Sequence, residues 1–94
     1  MARNTTLTLP AATWTQLTNG DVTNISFENQ SDDYLFVAFT AGESAPSSTD
    51  GAIRYRPNYG ADNMTLADTF SGVTGGTRVY GYIENGGRVW VSHA

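Results

Sequence analysis

The sequence contains no cysteine, no lysine and only one histidine, and charged residues make up just 15% of it. The missing cysteine excludes a disulfide framework, a thiolate nucleophile and any zinc–cysteine site. The missing lysine leaves every basic charge on Arg3, Arg54, Arg56, Arg78 and Arg88, and the formal net charge is −4. Such a chain offers little to a phosphate backbone, so nucleic acid is not expected as a partner. No apolar run approaches membrane-spanning length, and the start "MARNTTLTLP" lacks the apolar stretch of a secretory leader. No membrane partner is expected either. The 94 residues make one domain, 1–94, with a modest core. Small domains without covalent staples often gain stability by associating.

Helical periodicity is almost absent. Short β-branched and aromatic runs alternate with clusters of Gly, Asn, Asp and Ser, the pattern of an all-β sandwich or barrel. "TLTLP" sets Leu7 and Leu9 on one face, and "ATWTQLT" sets Trp14 and Gln16 opposite Thr13, Thr15 and Leu17. "ISFEN" points Ile25 and Phe27 one way and Ser26 and Glu28 the other. "YLFVAFT" is apolar on both faces, which marks a central strand or one at an interface. The spacing predicts a hairpin between Ile25–Asn29 and Tyr34–Thr40. Residues 41–51 form an exposed loop. "AIRYRP" opposes Ile53 and Tyr55 to Arg54 and Arg56, "NYGADN" reads as a turn, and "MTLADTF" as one helical turn or an irregular crossover. "TRVYGYIE" and "RVWVSHA", joined by the turn signal "NGG", predict a second hairpin at the C-terminal end. The expectation is a small antiparallel sandwich or barrel of about six to seven short strands.

Motifs that could carry chemistry are weak. His93 lies between Ser92 and Ala94, but nothing in the spacing makes a histidine, a carboxylate and a nucleophile converge as a triad requires. Asp32 with Asp33, and Asp62 with Asp68, lack the spacing of a calcium loop and read as turn and capping residues. "GVTGGTR" is followed by a strand and no lysine, so it is a turn rather than a phosphate loop. Nothing places Glu28 and Glu84 across one cleft for glycoside hydrolysis. The four Asn-x-Ser/Thr triplets, at Asn4, Asn24, Asn29 and Asn63, are read as accidental. No catalytic residue, metal or cofactor is expected.

The remaining signal is contact surface. Arginine suits interfaces, because its planar fork holds carboxylates and stacks on rings. Arg54, Arg56, Arg78, Tyr80, Tyr82, Arg88 and Trp90 all fall opposite the apparent core residues of their strands, and on one terminal hairpin they would form a protein-binding surface. Two alternatives stay open: a sheet covered on both sides with Trp90 in the core, or an aromatic platform for sugar rings.

The segments "WTQLTNGDVTNISFENQSDDYLFVAFTAGESAPSSTDGAIRYRP", "LADTFSGVTGGTRVYGY" and "VWVSHA" cover nearly the whole chain. Together they resemble a family of small virion proteins of tailed bacteriophages. The resemblance implies a non-enzymatic structural role on the virion, in capsid decoration or cement, a head fibre or a tail accessory. It implies assembly in the host cytoplasm and the major capsid protein as foremost partner. A homo-oligomer is expected, a trimer if it sits at a capsid three-fold position. The alternative is a tail- or fibre-associated receptor- or carbohydrate-binding module. The matched positions are strands and turns, so no functional residue carries over.

Overall fold

The alternation folds into eight strands in a computed structural model that describes residues 2–41, 45–69 and 77–94. The strands are β1 (Arg3–Leu9), β2 (Thr15–Gln16), β3 (Asn24–Asn29), β4 (Leu35–Thr40), β5 (Ile53–Tyr55), β6 (Gly60–Thr65), β7 (Arg78–Tyr82) and β8 (Gly87–His93). A single helical turn, α1 (Leu66–Thr69), follows β6. Two four-stranded antiparallel sheets pack face to face: sheet I in the order β1-β8-β3-β6, and sheet II in the order β2-β7-β4-β5. The all-β sandwich read from the alternation is therefore the fold, and it does not close into a barrel.

The core lies between the sheets. Sheet I contributes Leu9, Ile25, Phe27, Val89 and Val91, and sheet II contributes Leu35, Val37, Phe39 and Val79, each at most 5% exposed. Leu17, Ile83 and Leu66, from the connecting segments and α1, seal its margins. Tyr55 of β5 meets Phe27 edge-on, with ring centroids 4.9 Å apart, and so joins one sheet to the other. Arg3 Nη1 adds a polar tie by donating to the Leu17 carbonyl at 3.0 Å.

Both expected hairpins are instead arches between sheets. β3 pairs with β6 and β8, whereas β4 pairs with β5 and β7. Likewise β7 belongs to sheet II and β8 to sheet I. The turn signal "NGG" is real: the Gly86 amide donates to the Ile83 carbonyl at 3.0 Å, and Gly86 has φ +76°. A tight turn with one apolar face on each flanking strand fits a hairpin and an arch equally well. Sequence alternation cannot separate them, because both bury the same residues. The two arches are tied to each other, since the Asp33 carboxylate accepts from Asn85 Nδ2 at 2.9 Å and from the Asn85 amide at 3.3 Å.

β6 is a strand where a turn was expected. Its sequence GADNMT has no β-branched residue before Thr65, and it runs along the sheet edge with a register shift between Ile25 and Phe27 of β3. Asn63 lies in the left-handed region at φ +51°, and its amide donates to Ser26 Oγ at 2.8 Å. This is a β-bulge, which supplies the turn-like signature read from the sequence. The loop expected at 41–51 is mostly exposed and strand-free over its described part, residues 41 and 45–51. The expected turn "GVTGG" and Phe70 lie outside the described residues.

Gly86 gives a direct test of the arch. A Cβ there would sit 2.9 Å from the Leu9 carbonyl oxygen, on backbone that β-branched residues adopt only at a cost. Gly86→Val is expected to destabilise the domain by roughly 1–2 kcal/mol, lowering Tm by about 5–15 °C for a chain of this size. An unchanged melting curve would mean that the arch tolerates a side chain there.

Candidate interface on the outer face of sheet II

The two-sided apolar character of "YLFVAFT" explains the outer face of sheet II. Leu35, Val37 and Phe39 turn inward, leaving Phe36, Ala38 and Thr40 outside. Phe36 lies opposite Tyr82 of β7 on one side and Arg54 of β5 on the other. Its ring centroid is 6.2 Å from that of Tyr82, and Tyr82 in turn is 5.2 Å from Trp14, just before β2. At the other end the Arg54 guanidinium carbon lies 4.7 Å above the Tyr34 ring, a cation–π contact. A strip of four rings and one guanidinium thus crosses the sheet. Trp14, Phe36 and Tyr82 are half-buried, Arg54 is exposed, and Tyr34 is 41% exposed.

The polar groups of this face are largely engaged with one another. Tyr82 Oη donates to Glu84 Oε1 at 3.4 Å, and Tyr80 Oη to Gln16 Oε1 at 3.5 Å. Burial, with the charge and hydrogen bond of Glu84 behind it, raises the Tyr82 phenol above its ordinary value. Arg78 Nε forms an ion pair with Asp21 Oδ1 at 3.0 Å, and Thr77 Oγ1 donates to the same oxygen at 2.9 Å. The Arg78 hydrogen bond, then that of Thr77, holds the Asp21 carboxyl below its ordinary value. The strip itself keeps one cation, Arg54, flanked by rings.

The residues expected to share one contact surface divide between two. Arg54, Arg78, Tyr80 and Tyr82 lie on the outer face of sheet II, where Tyr80 is only 5% exposed. Arg56 follows the end of β5 and is exposed. Arg88 and Trp90 lie on the outer face of sheet I, across the sandwich. A single hairpin surface joining Trp90 to Tyr80 and Tyr82 does not exist, because β7 and β8 are in different sheets. In its place are Trp14, Phe36 and Tyr34, which were not among the expected contact residues. Their signal was in the sequence, as the second apolar face of "YLFVAFT" and as Trp14 opposite the buried Leu17. No protein-family model, curated protein or solved structure matches the chain.

The other candidate residues do not converge. His93 is 8% exposed on the inner face of β8, opposite Arg3. Its Nδ1 is 3.0 Å from the Ala94 carbonyl oxygen, and its Nε2 is buried without a hydrogen-bond partner. Glu28 lies on the outer face of sheet I, whereas Glu84 bonds to Tyr82 on the other side of the sandwich, so the two carboxylates share no cleft. Asp33 caps its own turn by accepting from the Tyr34 amide at 2.8 Å. Among the described residues no group of three or more His, Cys, Asp or Glu is placed to hold a metal ion, and no helix is long and apolar enough to cross a membrane.

Proposed function

We propose that this chain is a non-enzymatic structural protein of a tailed-bacteriophage virion, a capsid decoration or cement protein that binds the outer capsid as an oligomer. The observation that carries the contact role is the strip Trp14–Tyr82–Phe36, continued by Arg54 and Tyr34, on an outer sheet face. An outer face left to water is ordinarily polar, alternating with the core residues beneath it. Aromatic rings and arginine clustered on a rigid sheet are the composition of the energetic centre of a protein interface. The virion setting comes from the sequence resemblance. The five arginines, the missing lysine and a domain without covalent staples accord with it.

The test is a Trp14→Ala, Phe36→Ala double variant, shown to fold by circular dichroism and then bound to purified capsids lacking the protein. Anchors at an interface centre commonly cost ~2 kcal/mol or more on truncation, about 30-fold in affinity for each. Binding is therefore expected to fall by at least that factor, while Arg88→Ala, on the opposite face, stays near the parent. If the folded double variant binds like the parent, sheet II is not the contact surface and the exposed loop at Ala45–Gly51 becomes the better candidate. The second reading, a tail- or fibre-associated carbohydrate-binding module, is favoured by the setting of Trp90 on sheet I.

A further inference from the structure

The outer face of sheet I differs in chemistry from that of sheet II. It carries one large ring, Trp90, with Thr6 of β1 opposite it on one side and Glu28 of β3 on the other. Around the ring the outward positions hold hydroxyls, amides and carboxylates, with the exposed Arg88 one row away on β8. One row further along β8, Ser92 faces Ser26. Two depressions flank the bulge. One, of about 340 Å³, is lined by Trp90, Glu28, Asp62, Gly60 and Ala61; the other, of about 390 Å³, lies at the end of the β3–β8 ladder, where Ser26, Asn63 and Ser92 meet the segment 22–25 and His93. Both are of small-ligand size. The bulge residues Asp62 and Asn63 stand between them.

We infer that this groove binds a neutral oligosaccharide, with one pyranose ring stacked on Trp90 and its neighbour held over Ser26, Ser92 and Asn63. A sugar ring presents an apolar C–H face and a rim of hydroxyls. A single tryptophan surrounded by hydrogen-bonding side chains complements both. The groove is already organised. Trp90 Nε1 donates to Asn4 Oδ1 at 3.2 Å, which fixes the indole. Ser26 Oγ accepts from the Asn63 amide at 2.8 Å, and Asn24 Nδ2 donates to Asn63 Oδ1 at 3.4 Å, which fixes the bulge. Glu28 accepts from Gln30 Nε2 at 3.1 Å through one oxygen, and among the described residues nothing bonds to the Asp62 carboxylate. These oxygens remain to accept sugar hydroxyls. Glu28 and Asp62 line the depression itself while Arg88 lies outside it, so a sialic or uronic acid seated there would meet like charge. Successive outward positions on one strand are about 7 Å apart, so the Trp90 and Ser92 rows suit neighbouring sugar residues. The site lies across the sandwich from the capsid-contact strip and does not depend on that reading.

The experiment is a two-dimensional amide NMR titration of the full chain with neutral trisaccharides (maltotriose, cellotriose, mannotriose and chitotriose) and with 3′-sialyllactose as the acidic control, each to about 10 mM, well above a millimolar Kd. At least one neutral trisaccharide is expected to shift the Trp90 indole and the amides of Ser26, Glu28, Asp62 and Ser92. Trp90→Ala should weaken that binding at least tenfold, and Trp14→Ala should leave it unchanged. Glu28→Gln, which keeps the shape of the groove, should weaken it several-fold and serves as the test if Trp90→Ala does not fold. The inference fails if no neutral trisaccharide shifts these resonances, if only the sialylated sugar does, if the shifts map to Trp14 and Tyr82, or if the folded variants bind like the parent.

Discussion

Phe27→Ala is expected to cost the domain ~3–5 kcal/mol, the range for removing a buried aromatic side chain from a packed core. Phe27 is 1% exposed and lies near the middle of β3, between Val91 of β8 and Ala61 of β6 in the ladder. It makes the edge-on contact with Tyr55 that joins sheet I to sheet II. Both the transfer term and the cavity term therefore apply. At ~0.05–0.15 kcal/mol per residue the whole domain holds only about 5–14 kcal/mol, so the variant would lose between about a fifth and all of it. Urea unfolding reads this as a large drop in midpoint with little change in slope. A loss under ~1.5 kcal/mol would mean that the sheets do not meet at Phe27.

Asn29→Ala is expected to be nearly as severe, although it removes no apolar surface. Asn29 is fully buried at the end of β3. Its Nδ2 donates to the Asp33 carbonyl at 2.8 Å and to the Tyr55 carbonyl at 3.2 Å, while its Oδ1 accepts from the Ser31 amide at 3.0 Å and from Ser31 Oγ at 2.6 Å. One side chain thus shapes the arch from β3 to β4 and ties it to β5. Alanine would strip partners from several buried groups, each costing ~1–3 kcal/mol if left unsatisfied. A loss of about 3 kcal/mol is expected in thermal or urea unfolding, with faster hydrogen exchange at the Ser31 amide. Near-parent stability would mean that water replaces the amide and that the arch is held by its backbone alone.

The strands with β-branched or aromatic alternation were legible in the sequence: β1, β3, β7 and β8 each carry one apolar face at period two, which is the core, while β4 carries two, of which Leu35, Val37 and Phe39 face the core. Sheet membership was not legible. The turn at Glu84–Gly86 looks the same whether β8 folds back beside β7 or crosses to the other sheet, since Val79, Ile83, Val89 and Val91 are buried in both cases. Partner choice is decided by non-local pairing, with β8 inserted between β1 and β3. For the same reason the role of Asn29 was not legible: the sequence shows only the last residue of a strand, and the Tyr55 carbonyl that it bonds is 26 residues away. The contact surface was half legible. The outward positions of Arg54, Tyr80 and Tyr82 followed from alternation, but their grouping with Phe36 and Trp14, and their separation from Trp90, follow from the sheet order.

The most direct measurement of the proposed role is a cryo-electron microscopy map of the phage particle proposed to carry this chain, compared with particles lacking it. The expected difference density lies on the outer shell and fits the two-layer sandwich, with Trp14, Phe36 and Tyr82 of sheet II against capsid protein and Trp90 of sheet I facing solvent. Particles identical with and without the chain, or a sandwich seated on the shell through the Trp90 face, would contradict it.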